Sequence, residues 1–252
     1  MSEPDALQSQ AVPMVIAHRG DAANFPENSI AALAAAAACG VQYLEFDIQL
    51  SADRVPLLLH DESLLRTAGV DQVVTACVSS ELQQVCVGEK DRFGDQFSKE
   101  KLPTLEAALA ALPSEKLTLF VELKRQSLRA FGRRRVLDAV LPLLRASQHD
   151  VVLVSFDAKV LSFARERSSL PIGFVLSSYD QQAITDIVQL APEFVFCNQR
   201  RLPSADIALW CGNWDWVIYE IAKASQARSF YRRGARFVES HDACRLAAAL
   251  RQ

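Results

Sequence analysis

The sequence predicts an α/β fold, a closed (β/α)8 barrel with a small insertion after the second strand region. Short β-rich apolar runs alternate with Ala/Leu/Arg-rich helical stretches from end to end. The strands read apolar on both faces, as the strands of a parallel sheet covered by helices do. Eight such units fit the 252 residues, close to the roughly 250 residues of such a barrel. No Gly-x-Gly-x-x-Gly follows a strand, which weighs against an open dinucleotide-binding sheet.

The first strand, 14–18, closes on His18, and loop 19–27 leads into a helix over 27–39. Pro26-Glu27-Asn28-Ser29 supplies a fixed φ, an early negative charge and caps, and Gly40 ends the run. The spare N–H groups at that helix start suit an anion. In the second strand, 42–48, Tyr43, Glu45, Asp47 and Gln49 share one face, and Leu44, Phe46 and Ile48 the other. Ser51-Ala52-Asp53-Arg54 is a turn signal, so this strand continues as a hairpin through 55–60 to His60-Asp61. The long, poorly periodic segment 62–103 reads as an excursion or lid near the strand ends. A helix over 104–112 precedes strand 117–123, which ends in Glu122-Leu123-Lys124. Strands at 151–155, 172–176, 194–198, 215–219 and 236–239 then alternate with helices at 133–147, 157–167, 180–190, 205–210, 223–233 and 242–251. Without an internal repeat or low-complexity linker, residues 1–252 read as one barrel domain carrying the excursion at 62–103.

A net charge of −3 argues against a general nucleic-acid binder. Met1–Pro13 has no apolar signal-peptide core, and no run reaches the eighteen or so apolar residues of a membrane span. A cytoplasmic protein is the expectation. The six cysteines show no CxxC pair and no zinc spacing, and most sit among apolar neighbours and read as small core residues in a reducing compartment.

Charged groups closing consecutive buried strands are costly to place without a purpose. Glu45 and Asp47 sit about 6–7 Å apart along one strand face and can converge on one cation. Phe120, Glu122 and Lys124 share a face of the fourth run, and His18 and His60 come last in theirs. If these four strands run parallel, all the groups meet at one end of the barrel. A pair of carboxylates salt-bridged to Arg or Lys is the plainer reading of Glu45 and Asp47. A third carboxylate, Glu122, would leave a cluster that resists ionisation without a cation, and all-oxygen ligation favours Mg2+ or Ca2+ over zinc. Arg19, beside His18 and a helix start, reads as an anion clamp. His149 and His241 read as surface histidines. Trp210, Trp214 and Trp216 read as packing residues, with room for one at the mouth.

The runs HRGDAANFPENSIAALAAAAACGVQYLEFDIQLSADRVPLLLHDESLLRT, LPTLEAAL, LFVELK and VSF resemble, in order and spacing, the glycerophosphodiester phosphodiesterase family. The resemblance implies a TIM barrel with a small insertion and metal-dependent hydrolysis of glycerophosphodiesters to sn-glycerol 3-phosphate and an alcohol. It further implies that His18 and His60 are the acid/base pair, that Glu45, Asp47 and Glu122 bind a divalent cation, and that Arg19 and Lys124 contact the phosphate. The C-terminal third departs from the family pattern: Tyr219-Glu220-Ile221-Ala222 replaces a Trp-Thr-Val-Asn-like run, and Gly234-Ala235-Arg236-Phe237 with Ser240-His241 replaces Gly-Val-Asp-Gly with Thr-Asp. Two alternatives stand beside the hydrolase. One is another metal-dependent barrel enzyme that stabilises an enolate, and the other is a divergent member that binds a phosphodiester without turnover.

Overall fold

A computed structural model describes residues 12–204 and 207–252. The strands are β1 (Met14–His18), β2 (Tyr43–Leu50), β3 (Pro56–Leu58), β4 (Thr118–Leu123), β5 (Asp150–Ser155), β6 (Ile172–Val175), β7 (Phe194–Asn198), β8 (Asp215–Tyr219) and β9 (Phe237–Ser240). All but β3 run parallel in the order β1-β9-β8-β7-β6-β5-β4-β2, and pairing of β1 with β2 closes the barrel. The helices are α1 (Ile30–Ala38), the one-turn α2 (Leu65–Ala68), α3 (Ser79–Leu82) and α4 (Lys90–Phe93), then α5 (Leu105–Ala111), α6 (Arg125–Phe131), α7 (Arg133–Ala146), α8 (Ala158–Arg167), α9 (Gln181–Leu190), α10 (Ala224–Arg232) and α11 (Ala243–Leu250). None is long and apolar enough to cross a membrane.

Side-chain alternation sorts two cores. Leu44, Phe46 and Ile48 join the layer between sheet and helices. Ile16, Phe120, Val152, Val154, Val175, Phe196, Val217 and Phe237 fill the barrel interior, with Tyr43 against them. Interior side chains in such a barrel form a packed plug, which confines any site to the rim at the C-terminal ends of the strands.

Several expectations need correction. The hairpin forms, but β3 therefore runs antiparallel to β2, with Ile48 opposite Leu58. Only three of the four strands carrying site residues are parallel, and His60 reaches the rim from the loop beyond β3. Helix α1 begins at Ile30, where the Ser29 hydroxyl accepts from the Ala32 N–H at 3.0 Å. The anion expected at that helix start is the protein's own Glu100, which accepts from the Ala31 N–H at 3.3 Å. The excursion is neither bare loop nor loose lid. Leu57, Leu59, Leu64, Val74, Leu82, Val87 and Leu102 give it a core of its own. Helix α6 was not expected, and no helix occupies 207–210, while residues 205–206 of that expected helix lie outside the described residues.

The cysteine reading fails at one pair. Cys39, at the end of α1, is bonded to Cys244 in α11 across 205 residues, with Cα atoms 5.8 Å apart. Disulfides persist in oxidising compartments, so the cysteine content no longer argues for a reducing one. Cys77, Cys86, Cys197 and Cys211 are free thiols.

Candidate active site

A cavity of about 270 Å³ opens at the C-terminal rim, with His18, Arg19, Glu45, His60, Glu122 and Lys124 in its wall. Strand register explains the convergence. His18 pairs with Glu45 across β1–β2, and Asp47 pairs with Glu122 across β2–β4. Asp47 lies just beneath the wall, 1 % exposed. Ligand oxygens of Glu45, Asp47 and Glu122 lie within 4.8 Å of one another.

Two cations hold this cluster in register. Lys124 Nζ lies 3.1 Å from Asp47 Oδ1 and 2.9 Å from Glu122 Oε1. Arg19 Nε lies 3.2 Å from Asp47 Oδ2, and its Nη1 donates to Glu27 Oε1 at 2.9 Å. Arg19 adopts a left-handed φ of 59°, and its N–H donates to Glu45 Oε2 at 2.9 Å. Gly20 follows at φ 79°, and a Cβ there would lie 2.6 Å from the Ala32 carbonyl carbon, so only glycine lets this loop lie on α1. Asn28 and Asp47 bond reciprocally: Asn28 Nδ2 donates to the carboxylate at 2.9 Å, and the Asp47 N–H donates to Asn28 Oδ1 at 3.0 Å.

His60 is oriented by its neighbour, with Nδ1 2.7 Å from Asp61 Oδ1. Arg66 from the excursion donates through Nε to Asp61 Oδ2 at 2.6 Å and through both terminal nitrogens to Glu27 at 2.6 and 2.8 Å. A continuous chain, Arg19–Glu27–Arg66–Asp61–His60, thus ties the two sides of the rim together. The excursion supplies its central link.

Burial pushes the Glu45 carboxyl well up, reinforced by the charges of Asp47, Glu239 and Glu122. Burial and Asp47 likewise outweigh Lys124 and push Glu122 up. Burial acts on Asp47 in the same sense, but Lys124 and Arg19 overcome it and hold that carboxyl far below the usual range. Burial, then the Arg19 charge, lowers His18 well below an ordinary imidazole. The raised Glu45 and Glu122 carboxyls mark a cluster whose negative charge Lys124 and Arg19 offset at Asp47 but not at all three groups. Three converging oxygen donors fit a hard divalent cation, which the residues present could hold.

Sequence reasoning missed two residues of this rim. Glu239, 3 % exposed on β9, places Oε2 3.9 Å from His18 Nε2. His241, expected at the surface, stacks on His18 with ring centroids 4.2 Å apart and planes 20° apart. A signal was available: Phe237 and Glu239, two apart, share the inward face of β9, and His241 follows at the same spacing just past its end. Glu220 and Tyr219 also line the cavity. The tryptophans do not reach its wall. Trp210 stacks on Tyr179 at 3.6 Å, and Trp216 Nε1 donates to the Trp210 carbonyl at 2.8 Å.

Fold and rim together define a TIM barrel with a carboxylate cluster, two histidines and two cations at the ends of its strands. The model of the Glycerophosphoryl diester phosphodiesterase family matches residues 18–208. A glycerophosphodiester phosphodiesterase of Caldanaerobacter subterraneus subsp. tengcongensis is 35 % identical over 111 residues, 44 % of this chain and 45 % of that relative. The human glycerophosphodiester phosphodiesterase 1 is 33 % identical over 109 residues, 43 % of this chain and 33 % of that relative. The chain spans less than half the length of these curated relatives. Among solved structures, an Oleispira antarctica phosphodiesterase in complex with sn-glycerol-3-phosphate shares the fold at a TM-score of 0.84 and 24 % identity, covering 96 % of this chain and 98 % of that one. The chain belongs to the glycerophosphoryl diester phosphodiesterase family.

Proposed function

We propose that this chain hydrolyses glycerophosphodiesters to sn-glycerol 3-phosphate and an alcohol, with Mg2+ or Ca2+ held by Glu45, Asp47 and Glu122. One observation carries the reading: two histidines, three carboxylates and two cations from separate segments line or underlie one cavity of about 270 Å³. The product seen in the Oleispira antarctica relative supports the same substrate class.

Arg19 and Lys124 turn their nitrogens from the carboxylates toward phosphoryl oxygens, offsetting charge as the phosphorus becomes five-coordinate. A divalent cation held by Glu45, Asp47 and Glu122 would supply Lewis-acid stabilisation of the developing charge. His18 takes the proton of the attacking hydroxyl, either of water or of the substrate's own glycerol. His60 donates from Nε2 to the departing alkoxide. Its Nδ1 faces the Asp61 carboxylate, which fixes the ring and stabilises it while it carries the extra proton, whereas His18 Nδ1 has no such partner. Each proton transfer contributes about 10²–10⁴ in rate.

The roles are separable by leaving group. His60→Ala should lose most turnover of an alkyl diester yet recover with a nitrophenyl ester, which needs no acid. His18→Ala should stay impaired on both. Equal rescue of the two variants would refute the assignment, and near-normal turnover by either on the alkyl diester would refute the histidine mechanism.

A further inference from the structure

We propose a second metal site on the neighbouring arc of the same rim, formed by His18, His241 and Glu220. It takes a borderline transition metal, Zn2+ being the type, and shuts the active site when loaded. The carboxylate cluster rises from β2 and β4. This second set lies at the ends of β1, β8 and β9.

One ligand atom from each of the three residues lies within 4.8 Å of the other two. His241 Nε2 and Glu220 Oε1 are 3.7 Å apart, too far for a hydrogen bond. Two ligands of one tetrahedral zinc ion stand about 3.3–3.4 Å apart, so a few tenths of an ångström of side-chain movement closes this gap onto an ion. The His18 ring, its residue 8 % exposed, has an Nδ1 with no hydrogen-bond partner, and Nδ1 of His241 and Oε1 of Glu239 are likewise buried and unpartnered. Unpaired polar atoms in a dry setting are costly, and here three of them gather at one rim. The His241 backbone is pinned, its carbonyl accepting from the Ala23 N–H at 2.8 Å. Its side chain is 35 % exposed, so the ring can turn out of the stack and bring a nitrogen onto the ion. Glu239 Oε2, 3.9 Å from His18 Nε2, stands ready as a fourth ligand or as the carboxylate that orients the histidine.

Donor chemistry separates the two sites. Three carboxylates suit Mg2+ or Ca2+, whereas two imidazoles and a carboxylate suit zinc and its neighbours. An ion on His18 occupies the lone pair that proton transfer requires. Loading therefore inhibits even when the carboxylate site is satisfied. The inhibition rests on the hydrolase reading, while the binding does not.

The test is calorimetric titration of Zn2+ into the whole chain in excess Mg2+, comparing wild type with His241→Ala, Glu220→Gln and Glu122→Gln, each checked for native circular dichroism. The expected result is one saturable Zn2+ ion in wild type and Glu122→Gln. His241→Ala and Glu220→Gln should bind it at least about tenfold more weakly, the lower end of what a lost supporting contact to a metal costs. The concentration of Zn2+ that halves glycerol 3-phosphate release should rise by the same factor in His241→Ala. His241→Gln, which preserves ring-sized bulk, covers a failure of the alanine variant to fold. Absence of saturable Zn2+ binding in wild type, or undiminished binding in both His241→Ala and Glu220→Gln, overturns the site. Loss of binding in Glu122→Gln alone also overturns it, by placing zinc in the carboxylate cluster. Binding as described in a chain without turnover upholds the site and removes the hydrolase reading instead.

Discussion

Breaking the Cys39–Cys244 bridge should destabilise the barrel by several kcal/mol. The bridge closes a loop of 205 residues, for which the chain-entropy relation gives about 5.4 kcal/mol at 25 °C. Native bridges deliver about 2–5 kcal/mol when removed, so the entropic figure is a ceiling and about 3–5 kcal/mol the expected loss. At roughly 2–4 °C per kcal/mol for a chain of this size, the melting temperature should fall by roughly 6–20 °C. The damage should reach the rim, because the Cys244 N–H donates to Asp21 Oδ1 at 3.5 Å and the neighbouring His241 carbonyl holds Ala23. Those contacts anchor the loop that carries Arg19 and Asn28. The assay is calorimetric melting of oxidised wild type, reduced wild type and the Cys39→Ser/Cys244→Ser double variant, beside a thiol titration of the unfolded oxidised chain. Four reactive thiols and a common lower melting temperature for the last two samples are predicted. Six thiols without reductant, or three coincident melts, would refute the reasoning.

A divalent cation should stabilise the fold, since Glu45, Asp47 and Glu122 crowd one buried spot. At a hundredfold excess over Kd, Mg2+ or Ca2+ should add about 2.7 kcal/mol, read as a melting shift of roughly 5–11 °C that Glu122→Gln diminishes. Arg66→Ala should lower kcat by about tenfold to a hundredfold, as loss of a supporting contact does, by releasing both Asp61 and Glu27. A kcat matching wild type would show that the Arg19–His60 chain has no catalytic consequence. Hydrogen bonds from Ser51 and then Ser79 hold the Asp53 carboxyl down, to about 2. A folded-state value below the unfolded one gives stability that is complete above the ordinary carboxylate range and lost as pH falls toward 2. Urea titrations at pH 5 and pH 3 should show a smaller acid loss in Asp53→Asn than in wild type.

Much of the rim was readable because parallel strands translate alternation into position. Once Leu44, Phe46 and Ile48 are taken for the helix-facing side, Glu45 and Asp47 must face inward, and the same logic places Glu122. His60 was found despite a mistaken direction for its strand, since the hairpin returns the chain to the rim its first arm left. The network through Glu27, Arg66 and Asp61 was not readable. Its members come from a helix approach, a one-turn helix and a strand-end loop whose meeting depends on how the excursion packs. Cys39 and Cys244 stand 205 positions apart, and only barrel closure, which brings α1 beside α11, makes them neighbours. Local sequence cannot express that. His241 was misplaced because a histidine near a helix start reads as polar surface, although it continues the spacing of Phe237 and Glu239 on the inward face. Helix α6 was overlooked because a seven-residue segment, Arg125–Phe131, is too short for its periodicity to register.

Release of glycerol 3-phosphate from glycerophosphocholine, followed by mass spectrometry with chelator and then with Mg2+ or Ca2+ restored, tests the catalytic account most directly. Turnover should vanish with EDTA, return with the divalent ion, and fail to return in Asp47→Asn. Hydrolysis indifferent to chelation, or none across a panel of glycerophosphodiesters with the ion supplied, would contradict it.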